Sequence, residues 1–170
     1  MKDKLKEEAK AYSMCDEYFV LLDSSKRDLV KLYMTQPNEC MSNGFPSLDL
    51  LENHFNDEEI RKMGVYISQD LENLLCNQQV YVFNNCTGSI NVEFDIKKAI
   101  YPMLYIGHGS NLKITINNSK TPIYVFDTAT ISLSVKGNGK ATVIRYNKNN
   151  YECKPEEIKN GNIKIRDIDG

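Results

Sequence analysis

Few side chains in this sequence are of a kind that does chemistry, and they are scattered. There are two histidines, His54 and His108. His54 stands between Asn53 and Phe55 in a stretch that reads as helix, so a surface position is expected. His108 lies in Gly107-His108-Gly109-Ser110, where the glycines permit the close approach of a ligand or simply a tight turn. Asp127 follows His108 by 19 residues, and Asn84 holds the equivalent place one repeat earlier. Asn84, His108 and Asp127 are therefore a candidate polar column at a strand end, and a row of turn-capping groups explains the same pattern. The carboxylates Asp57, Glu58 and Glu59 open a helix, where they complement its dipole. Lys136-Gly137-Asn138-Gly139-Lys140 lacks the spacing of a phosphate-binding loop and reads as a β-turn. No nucleophile elbow, metalloprotease pair or dinucleotide fingerprint is present. The sequence offers no catalytic residues, no metal ligands and no cofactor, and the expectation is that the chain is not an enzyme.

The five cysteines, Cys15, Cys40, Cys76, Cys86 and Cys153, are odd in number and irregular in spacing. They match neither a disulfide framework nor a zinc site, so free thiols in a reducing, cytoplasmic setting are expected. The N-terminal MKDKLKEEAK alternates charge and has no apolar core, unlike a secretory signal. The longest apolar stretches, Tyr18–Leu22 and Ile100–Ile106, are far below the ~20 residues of a spanning helix, so no membrane partner is expected. Net charge is -2, without the basic excess of a nucleic-acid binder. Residues 1–64 carry nine Lys/Arg against thirteen Asp/Glu, and residues 65–170 carry twelve against ten.

These groups must be positioned by two kinds of element. Residues 1–64 read as a helical subdomain. Lys2–Tyr12 is rich in helix formers. A second helix starts near Ser24 or Ser25, presents Leu29, Val30 and Tyr33, and ends by Gln36 because Pro37 follows. Ser47 caps a third, with Leu48, Leu51 and Phe55 on one face. Asn56 or Asp57 caps a fourth, and Gly64 stops it.

After Gly64 the period changes to two. Strands are expected at 65–67, 80–83, 90–94, 104–106, 112–116, 123–126, 131–135, 142–146 and 163–165, separated by Asn, Gly, Ser and Asp clusters. Ile106, Val125, Ile144 and Ile163 recur every 19 residues, as do Leu112 and Ile131, Ile114 and Leu133, and Ile116 and Val135. A fixed period with two strands per unit is the mark of stacked rungs. The expected fold class is α+β: a short N-terminal helical subdomain (1–64), then a small β-solenoid-like stack of ~19-residue repeats (65–170).

The register assigns faces. Val82 aligns with Ile106, so Val82, Ile106, Val125, Ile144 and Ile163 are expected in one inward column, with Val80, Leu104, Ile123 and Thr142 beside it. Tyr81, Tyr105, Tyr124 and Val143 then face outward, next to Phe83, Gly107, Phe126 and Arg145. The second strand of each rung turns Lys113, Thr115, Ser132, Ser134 and Lys136 to water. An outer aromatic ladder needs a cover, either the helices or a partner. The candidate binding residues are Tyr81, Tyr105, Tyr124 and Phe126, with Lys97, Lys98 and Tyr101 from the insertion 95–102 that interrupts the repeat.

With the rungs YIGHGSNLKITI and YVFDTATISLSVKG, the PSLDLLENHF segment and the helical start, the chain resembles a group of short uncharacterised proteins encoded by phages, prophages and mobile elements of gut Bacteroides-type bacteria. The resemblance implies a phage or mobile-element origin and brings no activity and no site residues. Three functions are weighed. The first is a non-enzymatic intracellular interaction module that binds a host protein or itself. The second is a small virion structural or decoration protein. The third, ranked last, is a carbohydrate-acting enzyme, which needs clustered carboxylates on one strand face.

Overall fold

The computed structural model describes residues 1–12, 22–94, 99–146 and 162–168. Among these residues five helices lead: α1 (Lys2–Ala11), α2 (Lys26–Thr35), α3 (Pro37–Ser42), α4 (Leu48–Phe55) and α5 (Glu58–Lys62). Ten strands follow among the described residues: β1 (Val65–Ile67), β2 (Asp70–Cys76), β3 (Val80–Asn84), β4 (Thr87–Glu93), β5 (Met103–Gly107), β6 (Asn111–Asn117), β7 (Lys120–Val125), β8 (Thr130–Lys136), β9 (Lys140–Tyr146) and β10 (Ile163–Ile168). The caps explain where the helices begin. Ser25 accepts the N–H of Asp28, Ser47 that of Leu50 and Asp57 that of Ile60, each satisfying a donor that has no partner inside the helix. Pro37 both ends α2 and opens α3, a short helix that the sequence pattern did not indicate.

The strands form a β-solenoid of about four turns. Odd-numbered strands and β10 make a six-stranded sheet in the order β1-β3-β5-β7-β9-β10, and β2-β4-β6-β8 make a four-stranded one. All pairs are parallel. Strand β2 is an addition to the expected set. Its sequence, DLENLLC, lacks β-branched residues and carries a bulge between Leu71 and Leu74, with Asn73 at φ 51°.

Two cores result. Between the sheets lie Tyr81, Phe83, Leu104, Ile106, Ile123, Val125 and Val143 from one side, and Ile90, Val92, Leu112, Ile114, Ile116, Ile131 and Leu133 from the other. Outside the six-stranded sheet, helix residues including Leu5, Leu29, Tyr33, Leu51, Phe55 and Ile60 pack on Val65, Ile67, Val82, Tyr105 and Phe126. Each such side chain, fully buried, is worth about 1.5–3 kcal/mol.

The register of the six-stranded sheet differs from the expected one. Val82 lies opposite Tyr105, not Ile106, and Tyr124 lies opposite Ile144. The inward column is therefore Phe83, Ile106 and Val125, while Val82 and Ile144 point outward with Tyr105 and Tyr124. Tyr81 and Phe83 are inside the solenoid, Val143 is inside, and Val80 and Thr142 are outside. The coil from β7 to β9 takes 20 residues because Gly137–Gly139 bridge β8 and β9, where Asn118 and Ser119 alone bridge β6 and β7. Along a strand, one extra residue moves every later side chain to the other face. The four-stranded sheet keeps the expected 19-residue step and turns Lys113, Ser132, Thr115, Ser134 and Lys136 outward.

Corners follow a common rule. Ser68, Asn85, His108 and Asp127, each just past an odd-numbered strand, have φ between 44° and 52°. This left-handed conformation suits short polar side chains that hydrogen-bond locally.

Candidate functional site

The helices cover the outer face of the six-stranded sheet unevenly. They pack on β1, β3 and β5. Tyr105 and Phe126 are buried beneath them at 6% and 1% exposure. Tyr124 is half-buried, and so are Ile144 and Tyr146 farther along; Ile168 on β10 is exposed. Aromatic stacking continues across this boundary: Tyr105 on Tyr124 at 4.6 Å, and Phe126 on Tyr146 at 4.6 Å. Of the candidate binding residues, Tyr81 is thus removed from the ladder. Its ring stacks with Phe83 and Tyr66 in the interior, and its hydroxyl accepts the N–H groups of Asn77 and Gln78. Tyr105 and Phe126 are helix-covered, Tyr124 is partly open, and Tyr101 is exposed. Lys97 and Lys98 lie outside the described residues.

Beside the open part of the face runs a trough that starts at Gln79, just before β3, and crosses the first residues of β5, β7, β9 and β10. Two adjoining depressions form it, of about 430 Å³ and about 260 Å³. Tyr101, Met103 and Pro122 line one, Lys140, Thr142 and Lys164 the other, and Lys120 borders both. Tyr101 is held by stacking on Phe94 at 4.4 Å, and the Lys120 ammonium lies 6.0 Å above the Tyr101 ring. Tyr101 belongs to the insertion 95–102, whose described residues 99–102 lead into β5.

The expected Asn84–His108–Asp127 column is shifted by one residue at its start: Asn84 pairs with Gly107, and Asn85 takes the corner place that His108 and Asp127 hold in the next coils. Both carboxylate oxygens of Asp127 accept backbone N–H groups, from His108 at 2.8 Å and Gly109 at 3.2 Å. The Asn84 side chain pairs with the Tyr33 hydroxyl at 3.3 Å. Burial pushes the His108 imidazole below its ordinary pKa, against the pull of Asp127, the Pro46 carbonyl and Glu8. Its Nε2 is buried without a partner among the described residues. Burial likewise raises Tyr33. Asp127 is occupied as a cap, so the geometry is that of a structural corner.

Other chemistry is similarly committed. Burial raises the Cys76 thiol and lifts Cys86 to about 11, so neither offers a thiolate at neutral pH. Strand β2 adds Asp70 and Glu72 to the outward carboxylates beside Glu93. Asp70 pairs with Thr87 at the opposite end of β4 from Glu93, about 20 Å away along the strand, wider than the ~5–9.5 Å of a glycosidase pair. Among the described residues no cluster of His, Cys, Asp and Glu is arranged to hold a metal, and no helix is long and apolar enough to cross a membrane. The void between helices and sheet is about 30 Å³ and apolar, space for packing and not for a ligand.

Compared with protein families, with curated proteins and with solved structures, the chain matches none.

Proposed function

We propose that the chain is a non-enzymatic protein-binding module, a phage- or mobile-element-encoded modulator, whose partner docks on the outer face of β7, β9 and β10. One observation carries this reading. Among the described residues the helical layer stops short, leaving Tyr124, Ile144 and Tyr146 half-buried and Ile168 exposed beside the sealed Val65, Ile67, Val82, Tyr105 and Phe126. Tyr and aliphatic side chains on a rigid sheet lose little entropy when a partner covers them, which is why such residues anchor interfaces. The opposite, four-stranded face is dressed in Ser, Thr, Asn and Lys, which water satisfies.

The test is site-specific crosslinking in cells. A benzophenone amino acid replaces Ile144 in one variant and Ser132, on the four-stranded face, in another. Crosslinks to a discrete protein from Ile144 and not from Ser132 support the reading, and a second copy of the chain as that protein identifies self-association. Crosslinks from Ser132 alone, or from neither position, overturn it.

A further inference from the structure

We infer that the trough beside this face is the seat of an acidic peptide segment with an apolar anchor; the inference rests on the binding-module reading and names the partner's chemistry. Lys120 and Lys140 are direct register partners on β7 and β9, and Lys164 lies opposite Thr142 on β10. Like charges on adjacent strands repel and destabilise the sheet. Among the described residues no carboxylate forms an ion pair with any of the three. Elsewhere the same chain pairs its cations readily: Lys6 with Asp23, Lys26 with Asp57 and Arg145 with Asp167. An acidic protein that gathers at one groove three lysines without a carboxylate partner among the described residues has built a local positive field, which is complementary to an anionic ligand.

The apolar half narrows the ligand further. Tyr101, Met103 and Pro122 continue the trough without charge, so the ligand presents apolar atoms at one end and negative charge at the other. The trough crosses from β3 to β10, four strand spacings. At ~4.8 Å each that is about 19 Å, the reach of about six residues of extended chain. A polynucleotide is a poorer match. It carries charge along its whole length and calls for a basic track, whereas here, among the described residues, the lysines end where Tyr101 begins. Carboxylates would meet Lys120, Lys140 and Lys164, with Thr142 and Asn162 as neutral hydrogen-bonding neighbours. The leading apolar residue would pack on Tyr101 beneath the Lys120 ammonium.

The experiment titrates the full chain with three fluorescein-labelled probes. These are a peptide of roughly eight residues with leucine at one end and a run of glutamates, the same peptide with lysine for glutamate, and a short single-stranded oligonucleotide. Anisotropy is read at low and at physiological salt. The glutamate peptide is expected to bind and the lysine peptide not to. Lys120→Gln, Lys140→Gln and Lys164→Gln are each expected to weaken it about two- to fivefold, and the triple variant more than about tenfold. Tyr101→Ala is expected to weaken the glutamate peptide but to leave the salt dependence unchanged. Lys113→Gln, on the four-stranded face, serves as control. Equal binding by the triple variant, no binding of the glutamate peptide at millimolar concentration, or tighter binding of the oligonucleotide overturns the inference. The two readings fail separately. If the protein crosslinked at Ile144 binds the triple variant as well as the natural chain, the acidic-peptide inference falls and the module stands. If no protein crosslinks at Ile144, the module falls first.

Discussion

The rings of Tyr105 and Tyr124 lie parallel, 4.6 Å apart at an interplanar angle of 5°, on adjacent strands of one face. Yet the helices bury the first and leave the second half-open. The edge of the helical layer therefore runs between two chemically equal residues. Tyr105→Ala removes a ring from a filled core and is expected to cost about 3 kcal/mol or more. Ile144→Ser, one strand beyond Tyr124, is expected to cost less than about 1 kcal/mol. Urea unfolding of the two variants compares them. Similar losses would mean that Ile144 is as well covered as Tyr105.

Tyr81 separates from the other tyrosines by its hydroxyl as well as its position. That oxygen accepts two backbone N–H groups of the turn before β3, at 3.1 Å and 3.2 Å. Tyr81→Phe leaves the ring in place and strands both donors, an expected loss of about 1 kcal/mol. The Tyr124 hydroxyl has no hydrogen-bond partner among the described residues, so Tyr124→Phe is expected to be neutral. Thermal midpoints of the two variants in the same buffer make the comparison.

His108 gives the fold a pH dependence of predictable sign. Burial lowers its pKa in the folded chain, so the unfolded chain takes up the proton first, near the ordinary value of about 6.5. Stability is then highest above that value and falls as pH drops through the window between the unfolded and folded pKa values. Asp23, Asp28, Asp57 and Asp167 are also lowered, from 3.8, so their losses begin nearer pH 4. His108→Asn keeps a side chain that tolerates φ 51°. It is expected to flatten the midpoint-versus-pH curve just below about pH 6.5, without altering the steeper fall nearer pH 4. An unchanged slope in the upper window would remove His108 as its source.

Much of the architecture is written in local chemistry. Ser25, Ser47 and Asp57 mark three helix starts, and the Asn, Gly and Asp clusters mark the corners. The faces of the six-stranded sheet are harder to read, for a physical reason. Alternation between apolar and polar residues reveals a strand's inner face only when the other face meets water. Here helices cover the outside of β3, so Val82 and Phe83 are apolar on both sides, and on β9 the outward Ile144 is as apolar as the inward Val143. The 19-residue spacing of Ile106, Val125 and Ile144 then aligns residues that the extra residue at Gly137–Gly139 sets on opposite faces. The four-stranded sheet, bare outside, was legible throughout β4, β6 and β8. Strand β2 was hidden by its helix-like composition. The trough was half visible: Tyr101 stood out in the insertion, but Lys120, Lys140 and Lys164 come together only through the true register.

Gly88 offers the sharpest test of that register, because its need for glycine depends on how close the coil below lies. It pairs with Leu71 just before the β2 bulge, at φ 102°. A Cβ there would stand 2.1 Å from the Leu71 carbonyl oxygen and 2.8 Å from its nitrogen, both backbone atoms. Two penalties therefore add in Gly88→Ala: the positive φ, worth about 1–2 kcal/mol, and the displacement of a neighbouring strand. Gly44→Ala isolates the first. It has φ 65° and nothing within 4 Å of its added Cβ. Gly44→Ala is expected to fold with a loss of about 1–2 kcal/mol, and Gly88→Ala to lose at least about 2 kcal/mol more or to fail to fold. Hydrogen exchange localises the damage, with amides of β2 and β4 losing protection before those of β6 and β8. Equal losses at Gly44 and Gly88 would show that β2 does not approach β4 as closely as this register requires.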